Sequence, residues 1–338
     1  MALLSIDDLE VEFETRRATI HAVNRISFSL DSGETLGIVG ESGCGKSVSS
    51  LAVLGILPAN ARVAGRVEFA GDDLLALPDS KMRAVRGRDI SMIFQDPMTS
   101  LNPVLTVGRQ ITETLRKHLR MDAAQADEEA ARLLERVGIA DARNRLRDYP
   151  HQFSGGMRQR VMIAMAISCR PKVLIADEPT TALDVTLQAQ ILEVLRALVA
   201  EERMGLILIT HDLGVVAGLC ERTIVMYAGR IVESGPTREL FARPRHPYTL
   251  GLLKSVPRVD ARAKERLVPI PGTPRDLRSL EAGCAFAPRC PYATERSRAE
   301  TPQLRPIDDL EHRVACWNPV PDGDLPPSRP PAPVEEER

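Results

Sequence analysis

The chain has 338 residues, long enough for one large domain or two ordinary ones with substantial cores. Its 44 basic and 46 acidic side chains leave a net charge of −2, which argues against nucleic acid as a partner, since nucleic-acid binders usually carry a clear basic excess. The N-terminus lacks the features of a secretory signal, and the apolar runs are shorter than the roughly 20 residues that cross a bilayer.

The first third of the chain predicts strands joined by turns. Alternating or compact apolar stretches indicate strands at residues 3–13, 21–30, 35–40, 62–70 and 88–94. A glycine-rich loop follows the third of these strands, and the apolar run after that loop, residues 48–57, predicts a buried helix.

The middle of the chain is predicted to be helical, and further on strands and helices alternate. One predicted helix carries its apolar residues on a single face: Ala130, Leu133, Leu134 and Val137. After it come a predicted strand at 173–178, a helix at about 186–202 and a strand at 205–212. This alternation predicts a parallel sheet with helices on its faces.

A phosphate-binding pattern lies between the third strand and the helix that follows it. The pattern G-x-x-x-x-G-K-[ST] is matched at every fixed position by Gly40-Glu41-Ser42-Gly43-Cys44-Gly45-Lys46-Ser47. Such glycines let backbone N–H groups converge on phosphate oxygens, and the helix that includes Val48 adds its positive dipole end. We therefore predict that Gly40 to Val48 bind nucleotide, with Lys46 at the β- and γ-phosphates and Ser47 on Mg²⁺. Cys44 occupies a variable position of the pattern.

Two carboxylates, Asp177 and Glu178, end the apolar strand predicted at 173–178. An acidic side chain at such a strand end can hold Mg²⁺, and its neighbour can orient and deprotonate an attacking water. A purely structural role is disfavoured, because two buried carboxylates without a cation are costly.

Ser154, Gly155 and Gly156 stand between these two motifs and before a predicted helix. In this position they resemble the signature of the ATP-binding cassette (ABC) ATPases, LSGGQ, which here reads Phe153 to Met157 and differs at its first and last residues. The resemblance implies an α/β P-loop NTPase fold. It consists of a RecA-like parallel-sheet core, an antiparallel β subdomain and an α-helical signature subdomain, extended here by a small cysteine-containing region.

Other positions that the family uses follow in order. Gln95 matches the Q-loop, which in the family touches Mg²⁺ and reports to the membrane subunit, and Thr181 to Asp184 match the D-loop. His211 matches the switch histidine, which contacts the γ-phosphate. Phe13 stands where the family places an aromatic ring on adenine, although it could equally be a core residue of the first strand.

The resemblance also implies which of these residues act on the chain's own ATP and which act on the ATP of a partner cassette. Two cassettes would meet head to tail, so that Ser154, Gly155 and Gly156 act on ATP held mainly by the partner, beside the D-loop Asp184. The residues implied to catalyse hydrolysis in the chain's own site are Lys46, Glu178, as the base, and His211. Those implied to hold Mg²⁺ are Ser47, Gln95 and Asp177.

Longer stretches narrow the resemblance to the ATPase subunits of bacterial dipeptide and oligopeptide importers, with the closest match to the D-type subunit of dipeptide permeases. The stretches are QDPMTSLNP at 95–103, YPHQFSGGM at 149–157, DEPTTALDVT at 177–186 and RHPYTLGLL at 245–253. The resemblance covers residues 2 to about 317. It implies a cassette at 1–242 with a helical subdomain at about 97–165, a C-terminal domain at 243–318 and a proline-rich disordered tail at 319–338.

The implied function is to energise peptide import from the cytoplasmic face of the inner membrane, using ATP and Mg²⁺. The implied partners are two membrane permease subunits, a paralogous ATPase subunit and, indirectly, a periplasmic binding protein. Nickel-chelate and glutathione importers share much of the same cassette and stay open as alternatives. A soluble ABC protein outside transport is disfavoured by the single cassette and the lack of a long coiled coil or basic patch.

The cysteines Cys284, Cys290 and Cys316 leave three interpretations open. Many peptide-importer subunits end in a domain in which four cysteines hold a [4Fe–4S] cluster, and these three match that pattern while Ser297 stands at the remaining position. Ser297 or His312 could complete an iron–sulfur site, and His312 could complete a tetrahedral zinc site. The third interpretation is three ordinary thiols without a metal.

Overall fold

Two β-sheets of different construction organise the fold. A computed structural model of the chain describes residues 2–181, 183–255, 269–278, 281–307 and 311–325. The strands are β1 Leu4–Glu14, β2 Thr19–Leu30, β3 Thr35–Val39, β4 Ala61–Phe69, β5 Asp72–Asp73, β6 Ile90–Ile93, β7 Val173–Asp177, β8 Gly205–Ile209, β9 Arg222–Tyr227, β10 Arg230–Pro236, β11 Arg305–Pro306 and β12 Arg313–Val314. The α-helices are α1 Lys46–Val53, α2 Asp79–Val85, α3 Pro97–Ser100, α4 Val107–Leu119, α5 Ala123–Arg136, α6 Ala142–Arg145, α7 Gly155–Ile167, α8 Val185–Glu202, α9 Leu213–Leu219, α10 Thr237–Ala242, α11 Pro247–Ser255 and α12 Glu295–Ala299.

The larger sheet has the strand order β11-β12-β10-β9-β3-β8-β7-β6. Its strands from β9 to β6 are parallel, and β10, β12 and β11 add an antiparallel edge. Every residue of β3, β7 and β8 is buried, as expected of parallel strands covered on both faces. The predicted parallel sheet is confirmed, and it places the ends of β3, β7 and β8 side by side.

The smaller sheet is antiparallel, with the order β2-β1-β4-β5. Its inward-facing side chains, among them Leu9, Val11 and Val23, are fully buried and pack with the side chains on one face of the larger sheet. The two sheets therefore share one apolar core, which surrounds α1 and the loop before it.

Helices α3 to α7 form the helical part between β6 and β7. The face predicted for α5 is confirmed, because Ala130, Leu133, Leu134 and Val137 are all buried. The helix predicted over residues 48–57 is shorter than expected: α1 ends at Val53, since Gly55 adopts a left-handed conformation with φ +60° and breaks the helical run.

Residues after α10 pack onto the second apolar core, which the larger sheet forms with the helices. Strand β12 pairs with β10 through Glu233 and Val314, and the rings of Tyr227, Tyr248 and Phe286 contact one another in the core. The division at residue 242 and the other domain boundaries stay predictions. Of the predicted tail at 319–338, residues 326–338 lie outside the described part of the chain. No helix in the described ranges is long and apolar enough to cross a membrane.

Candidate nucleotide-binding site

The loop between β3 and α1 has a backbone that only glycine allows at two points. Gly45 has φ +103°, and a Cβ atom there would lie 2.4 Å from the carbonyl oxygen of Ala22. A Cβ atom on Gly40 would lie 2.2 Å from the carbonyl oxygen of Met226. Side chains at these positions would force the loop open, so the glycines permit the tight curl that turns backbone N–H groups toward an anion.

Lys46 is buried inside this loop, with 7% of its surface exposed. Its Nζ atom donates hydrogen bonds to the carbonyl oxygens of Gly40, at 2.7 Å, and Glu41, at 3.1 Å. Beneath the loop the Cys44 thiol is buried, and that burial raises its pKa. The ammonium group is thus held by neutral acceptors, which leaves its positive charge available to phosphate oxygens.

Ser47 and Asp177 meet across the ends of β3 and β7, although they are far apart in sequence. The Ser47 hydroxyl donates a hydrogen bond of 3.0 Å to the Asp177 carboxylate. Burial raises the pKa of Asp177, a shift that Ser47 partly opposes. A hydroxyl and a carboxylate in contact are ligands that Mg²⁺ prefers, so this pair fits the predicted ion. Gln95, the third predicted Mg²⁺ residue, follows β6, is exposed and makes no hydrogen bond to either side chain of the pair.

Glu178 is held at both carboxylate oxygens. Its Oε1 lies 2.8 Å from His211 Nδ1, and its Oε2 accepts a 2.9 Å hydrogen bond from the Thr181 hydroxyl. The backbone of Glu178 has φ +50°, and its N–H donates to the Ile209 carbonyl at the end of β8. The structure therefore brings two of the residues predicted to be catalytic into contact, at the same edge of the sheet as Asp177.

The remaining predicted nucleotide contacts are less enclosed. Phe13 is partly buried on β1 and packs against the core shared by the two sheets, while Ser42 and Gly43 are exposed and Val48 lies half-buried in the first turn of α1. A place for Phe13 against adenine stays a prediction.

The predicted signature residues begin α7. The Ser154 hydroxyl caps this helix by accepting the Met157 N–H at 3.3 Å, and Gly155 is exposed, with no atom within 4 Å of a Cβ placed there. Within the described residues, no hydrogen bond joins this turn to the phosphate-binding loop. Ser154 and Gly155 are exposed, whereas Gly156 is buried beside Leu187.

Asp184, predicted to lie in the D-loop, is exposed and caps α8. Its side chain accepts the Leu187 N–H at 2.9 Å. Ala182, in the same predicted loop, lies outside the described residues.

Two residues from the C-terminal region touch the loop and were not predicted from sequence. The guanidinium of Arg289 pairs with the Glu41 carboxylate, and the Tyr248 hydroxyl accepts the Glu41 N–H. Neither residue belongs to a nucleotide-binding pattern. The sequence signals were indirect: Arg289 precedes Cys290 in the cysteine stretch, and Tyr248 lies in the stretch at 245–253 that carries the family resemblance.

The three C-terminal cysteines lie together as free thiols. Burial raises the pKa of Cys316 to about 12, and the nearby Cys284 and Cys290 add to that shift. The Cys284 N–H donates to the carbonyl oxygen of Ser297 at 2.7 Å. The structure therefore places Ser297 beside the cysteines, as the predicted pattern requires.

The two candidates for a fourth ligand are engaged elsewhere. The Ser297 hydroxyl accepts a 2.9 Å hydrogen bond from the Asn318 amide and lies 3.2 Å from the Thr294 hydroxyl. His312 Nε2 is 2.7 Å from the buried Glu233 carboxylate. Across the described ranges, no three His, Cys, Asp or Glu side chains are arranged to hold a metal ion. The donor set does not fit a four-ligand iron–sulfur or zinc site.

The sequence models of two protein families each match a part of the chain. The family described as "ABC transporter" matches residues 23–181. The family described as "Oligopeptide/dipeptide transporter, C-terminal region" matches residues 232–296, which include Tyr248 and Arg289.

Characterised relatives extend the similarity over nearly the whole chain. The oligopeptide transport ATP-binding protein OppD of Escherichia coli is 53% identical over 319 residues, 94% of each chain. The dipeptide transport ATP-binding protein DppD of Bacillus subtilis is 53% identical over 317 residues, 93% of this chain and 94% of its own. DppD of Escherichia coli is 52% identical over 327 residues, 96% of this chain and 99% of its own.

Among solved structures, the fold resembles the ATP-binding cassette MJ0796 in a dimeric post-hydrolysis state bound to ADP and Pi. The TM-score is 0.63 at 25% identity, over 69% of this chain and 98% of that one. CbiO1 of Clostridium perfringens, part of the transporter complex CbiONQ, gives a TM-score of 0.60 at 28% identity, over 71% of this chain and 91% of that one.

Proposed function

Because this chain belongs to the ATP-binding proteins of the oligopeptide and dipeptide ABC transporters, we propose that it hydrolyses ATP to energise the import of dipeptides or oligopeptides. One observation carries the proposal. Lys46 in its loop, the Ser47–Asp177 pair and the Glu178–His211 pair converge at one edge of the parallel sheet. This arrangement supplies a phosphate cradle, a Mg²⁺ site and a general base within one site.

Each of these groups has a part in hydrolysis. The loop N–H groups and Lys46 hold the β- and γ-phosphates of ATP. Ser47 and Asp177 would hold Mg²⁺, whose positive charge would offset the negative charge that develops on the ADP leaving group. Glu178 accepts the proton of the attacking water, and His211 fixes the direction of that carboxylate. Thr181 holds the second oxygen of Glu178, so the base has one defined orientation.

We propose that a second cassette completes the site. Ser154 and Gly155 are exposed at the start of α7, and within the described residues they make no hydrogen bond to the chain's own phosphate-binding loop. The N-terminus of a helix is suited to binding an anion. The dimeric state of MJ0796 with ADP and Pi supports the same arrangement for this chain. In this assembly Asp184 would lie near the contact between cassettes, and Gln95 is the further residue that would hold Mg²⁺.

The partners proposed for the chain are those of a peptide importer. It would sit on the cytoplasmic face of the inner membrane beneath two permease subunits, paired with a paralogous ATPase subunit, while a periplasmic protein delivers the peptide. The OppD and DppD relatives favour peptides over nickel chelates or glutathione as the transported substrate. The C-terminal thiols take part in no step of this mechanism.

Peptide uptake by cells tests the proposal. A strain in which this chain is deleted would be complemented with the wild-type chain, with Lys46→Ala or with an empty vector, and the uptake of labelled dipeptides and oligopeptides would be measured. We expect uptake with the wild-type chain alone. Uptake of a nickel chelate or glutathione but not of peptides would overturn the substrate assignment, and full uptake with Lys46→Ala would overturn the role of ATP.

A further inference from the structure

The C-terminal region contacts the phosphate-binding loop through a bidentate ion pair between Arg289 and Glu41. Arg289 Nη1 donates to Glu41 Oε2 at 2.7 Å, and Arg289 Nη2 donates to Glu41 Oε1 at 3.0 Å. The Arg289 side chain is 4% exposed and the Glu41 side chain is 27% exposed. Bidentate pairs shielded from water are stronger and more directional than surface ion pairs.

Arg289 is held rigidly from the C-terminal side. Its Nε donates to the Pro271 carbonyl at 2.9 Å, and its Nη2 also reaches the Ile270 carbonyl at 3.2 Å. The guanidinium carbon lies 5.8 Å from the ring centroids of both Tyr227 and Phe286. Such packing fixes the direction of the guanidinium, so Arg289 can set the position of the carboxylate that it binds.

A second contact fixes the backbone of the same loop residue. The Glu41 N–H donates to the Tyr248 hydroxyl at 2.7 Å, and Tyr248 is fully buried against Tyr227 and Phe286. Glu41 is therefore held at its side chain by Arg289 and at its backbone by Tyr248.

Glu41 in turn touches the lysine of the phosphate site. Its carbonyl oxygen accepts a hydrogen bond of 3.1 Å from Lys46 Nζ. A continuous set of contacts thus runs from Arg289 through Glu41 to Lys46. Without Arg289, the Glu41 carboxylate would be an unpaired negative charge in the loop that receives the triphosphate.

We propose that Arg289, assisted by Tyr248, is a positioning residue for ATP that acts through Glu41. It holds the phosphate-binding loop in its curled form and neutralises the one carboxylate of that loop. The C-terminal region is thereby part of the ATP site. This inference rests on the proposed function, since it takes ATP as the ligand of the loop.

A double-mutant cycle on the full chain tests the inference, with the dissociation constant for ATP as the measured quantity. We expect Arg289→Gln to raise that constant about tenfold, because removal of one partner leaves the other charge unpaired. In a Glu41→Gln background, the same change should alter the constant less than about twofold, since there is then no carboxylate to position. The matched control is Arg278→Gln, which removes an exposed arginine of the same region that pairs with Asp276, and it should leave the constant unchanged.

A structural role for Arg289 alone makes a different prediction. If Arg289 only stabilised the C-terminal region through Pro271 and Ile270, its replacement would have the same effect in both backgrounds, and that result would overturn the inference. So would an unchanged constant in folded Arg289→Gln. If Arg289→Gln does not fold, Tyr248→Phe decides the question, since it removes only the hydroxyl group. We expect it to weaken ATP binding about threefold, and unchanged binding would reject the inference.

The steady-state constants give a further readout. The KM for ATP should rise with the dissociation constant while kcat falls less than about threefold, because Glu178 and His211 are untouched. A loss confined to kcat would contradict a role in positioning the loop. If the wild-type chain itself fails to bind ATP, the proposed function fails and not this inference alone.

Discussion

His211 Nδ1 lies 2.8 Å from Glu178 Oε1, at the point where β7 and β8 end side by side. The two residues reach this contact because parallel strands deliver their carboxyl ends to one edge of a sheet. Thr181 holds the other oxygen of Glu178. The carboxylate of Glu178, the proposed base, is therefore held at both oxygens, which would lower the cost of orienting it during hydrolysis.

The change Glu178→Gln separates binding from hydrolysis. Glutamine keeps the size of the side chain but cannot accept a proton, and the loss of a general base costs about 100-fold or more at the altered site. We expect ATP affinity within about twofold of wild type, and ATP turnover by the assembled transporter lowered at least about tenfold. ATP binding by equilibrium titration and phosphate release measure the two quantities. Unchanged turnover would remove Glu178 from the role of base.

Gly155 allows a test of the proposed head-to-tail arrangement of two cassettes. A Cβ atom at Gly155 meets nothing within 4 Å, and an aspartate in the first turn of a helix is favourable in an isolated chain. We expect Gly155→Asp to leave the chain's own ATP affinity and melting temperature near wild type. Hydrolysis by the assembled complex should fall at least about tenfold, because a negative charge then faces the ATP of the partner cassette.

The control for this experiment is Gly155→Ala, which adds a side chain without charge and should retain most of the activity. If Gly155→Asp weakens ATP binding by the isolated chain, the signature contacts its own nucleotide and the head-to-tail assignment is wrong.

Much of the nucleotide site could be predicted from sequence because its parts are short and local. The residues from Gly40 to Ser47 form one loop between a strand and a helix, and Asp177 and Glu178 end a strand of unmistakably apolar character. Ser47 and Asp177 were each predicted to hold Mg²⁺, but the hydrogen bond between them was not predicted. It forms because β3 and β7 are parallel and end at a common edge of the sheet.

The contact between Arg289 and Glu41 could not be predicted from the sequence. Arg289 and Glu41 are 248 residues apart, and no period or motif connects them. Their pairing depends on how the C-terminal region packs on the sheet, which local patterns do not encode. The end of α1 was also predicted wrongly. The apolar run continues to Leu57, but α1 ends at Val53 because the backbone of Gly55 is left-handed.

The residues around the three C-terminal cysteines predict that the wild-type chain binds little iron or zinc. Because its hydroxyl is bonded to Asn318 and His312 is paired with Glu233, we expect anaerobically purified protein to hold less than about one equivalent of iron or zinc. Ser297→Cys places a fourth thiol beside the other three and should raise the iron content. Metal and sulfide analysis of both proteins measures this. Four irons per wild-type chain would contradict the prediction.

His246 predicts how stability depends on pH. The ring is fully buried, its Nδ1 accepts the Tyr248 N–H at 3.1 Å, and its Nε2 has no partner among the described residues. Burial lowers the pKa of His246 to about 3. The folded state therefore excludes a proton that the unfolded chain takes up below about pH 6.5. The resulting stability is complete above that pH and is lost as the pH falls toward 3.

The variant His246→Asn tests this source of pH dependence, since asparagine can still accept the Tyr248 N–H but does not titrate. Its free energy of unfolding should fall less steeply between about pH 6.5 and 4, by up to about 1.4 kcal/mol per pH unit. Denaturant titrations at several pH values measure the slopes. Identical slopes for the wild-type chain and the variant would assign the pH dependence to other groups.

The most direct test of the proposed function measures ATP hydrolysis and peptide uptake in the same proteoliposomes, which contain the permeases, both ATPase subunits and the binding protein. With the wild-type chain, we predict that peptide accumulates only with Mg²⁺ and ATP and that hydrolysis rises when peptide is delivered. With Lys46→Ala in this chain, both rates should fall at least about tenfold, since the β- and γ-phosphates lose their cation. Peptide accumulation at the wild-type rate with Lys46→Ala would contradict the account.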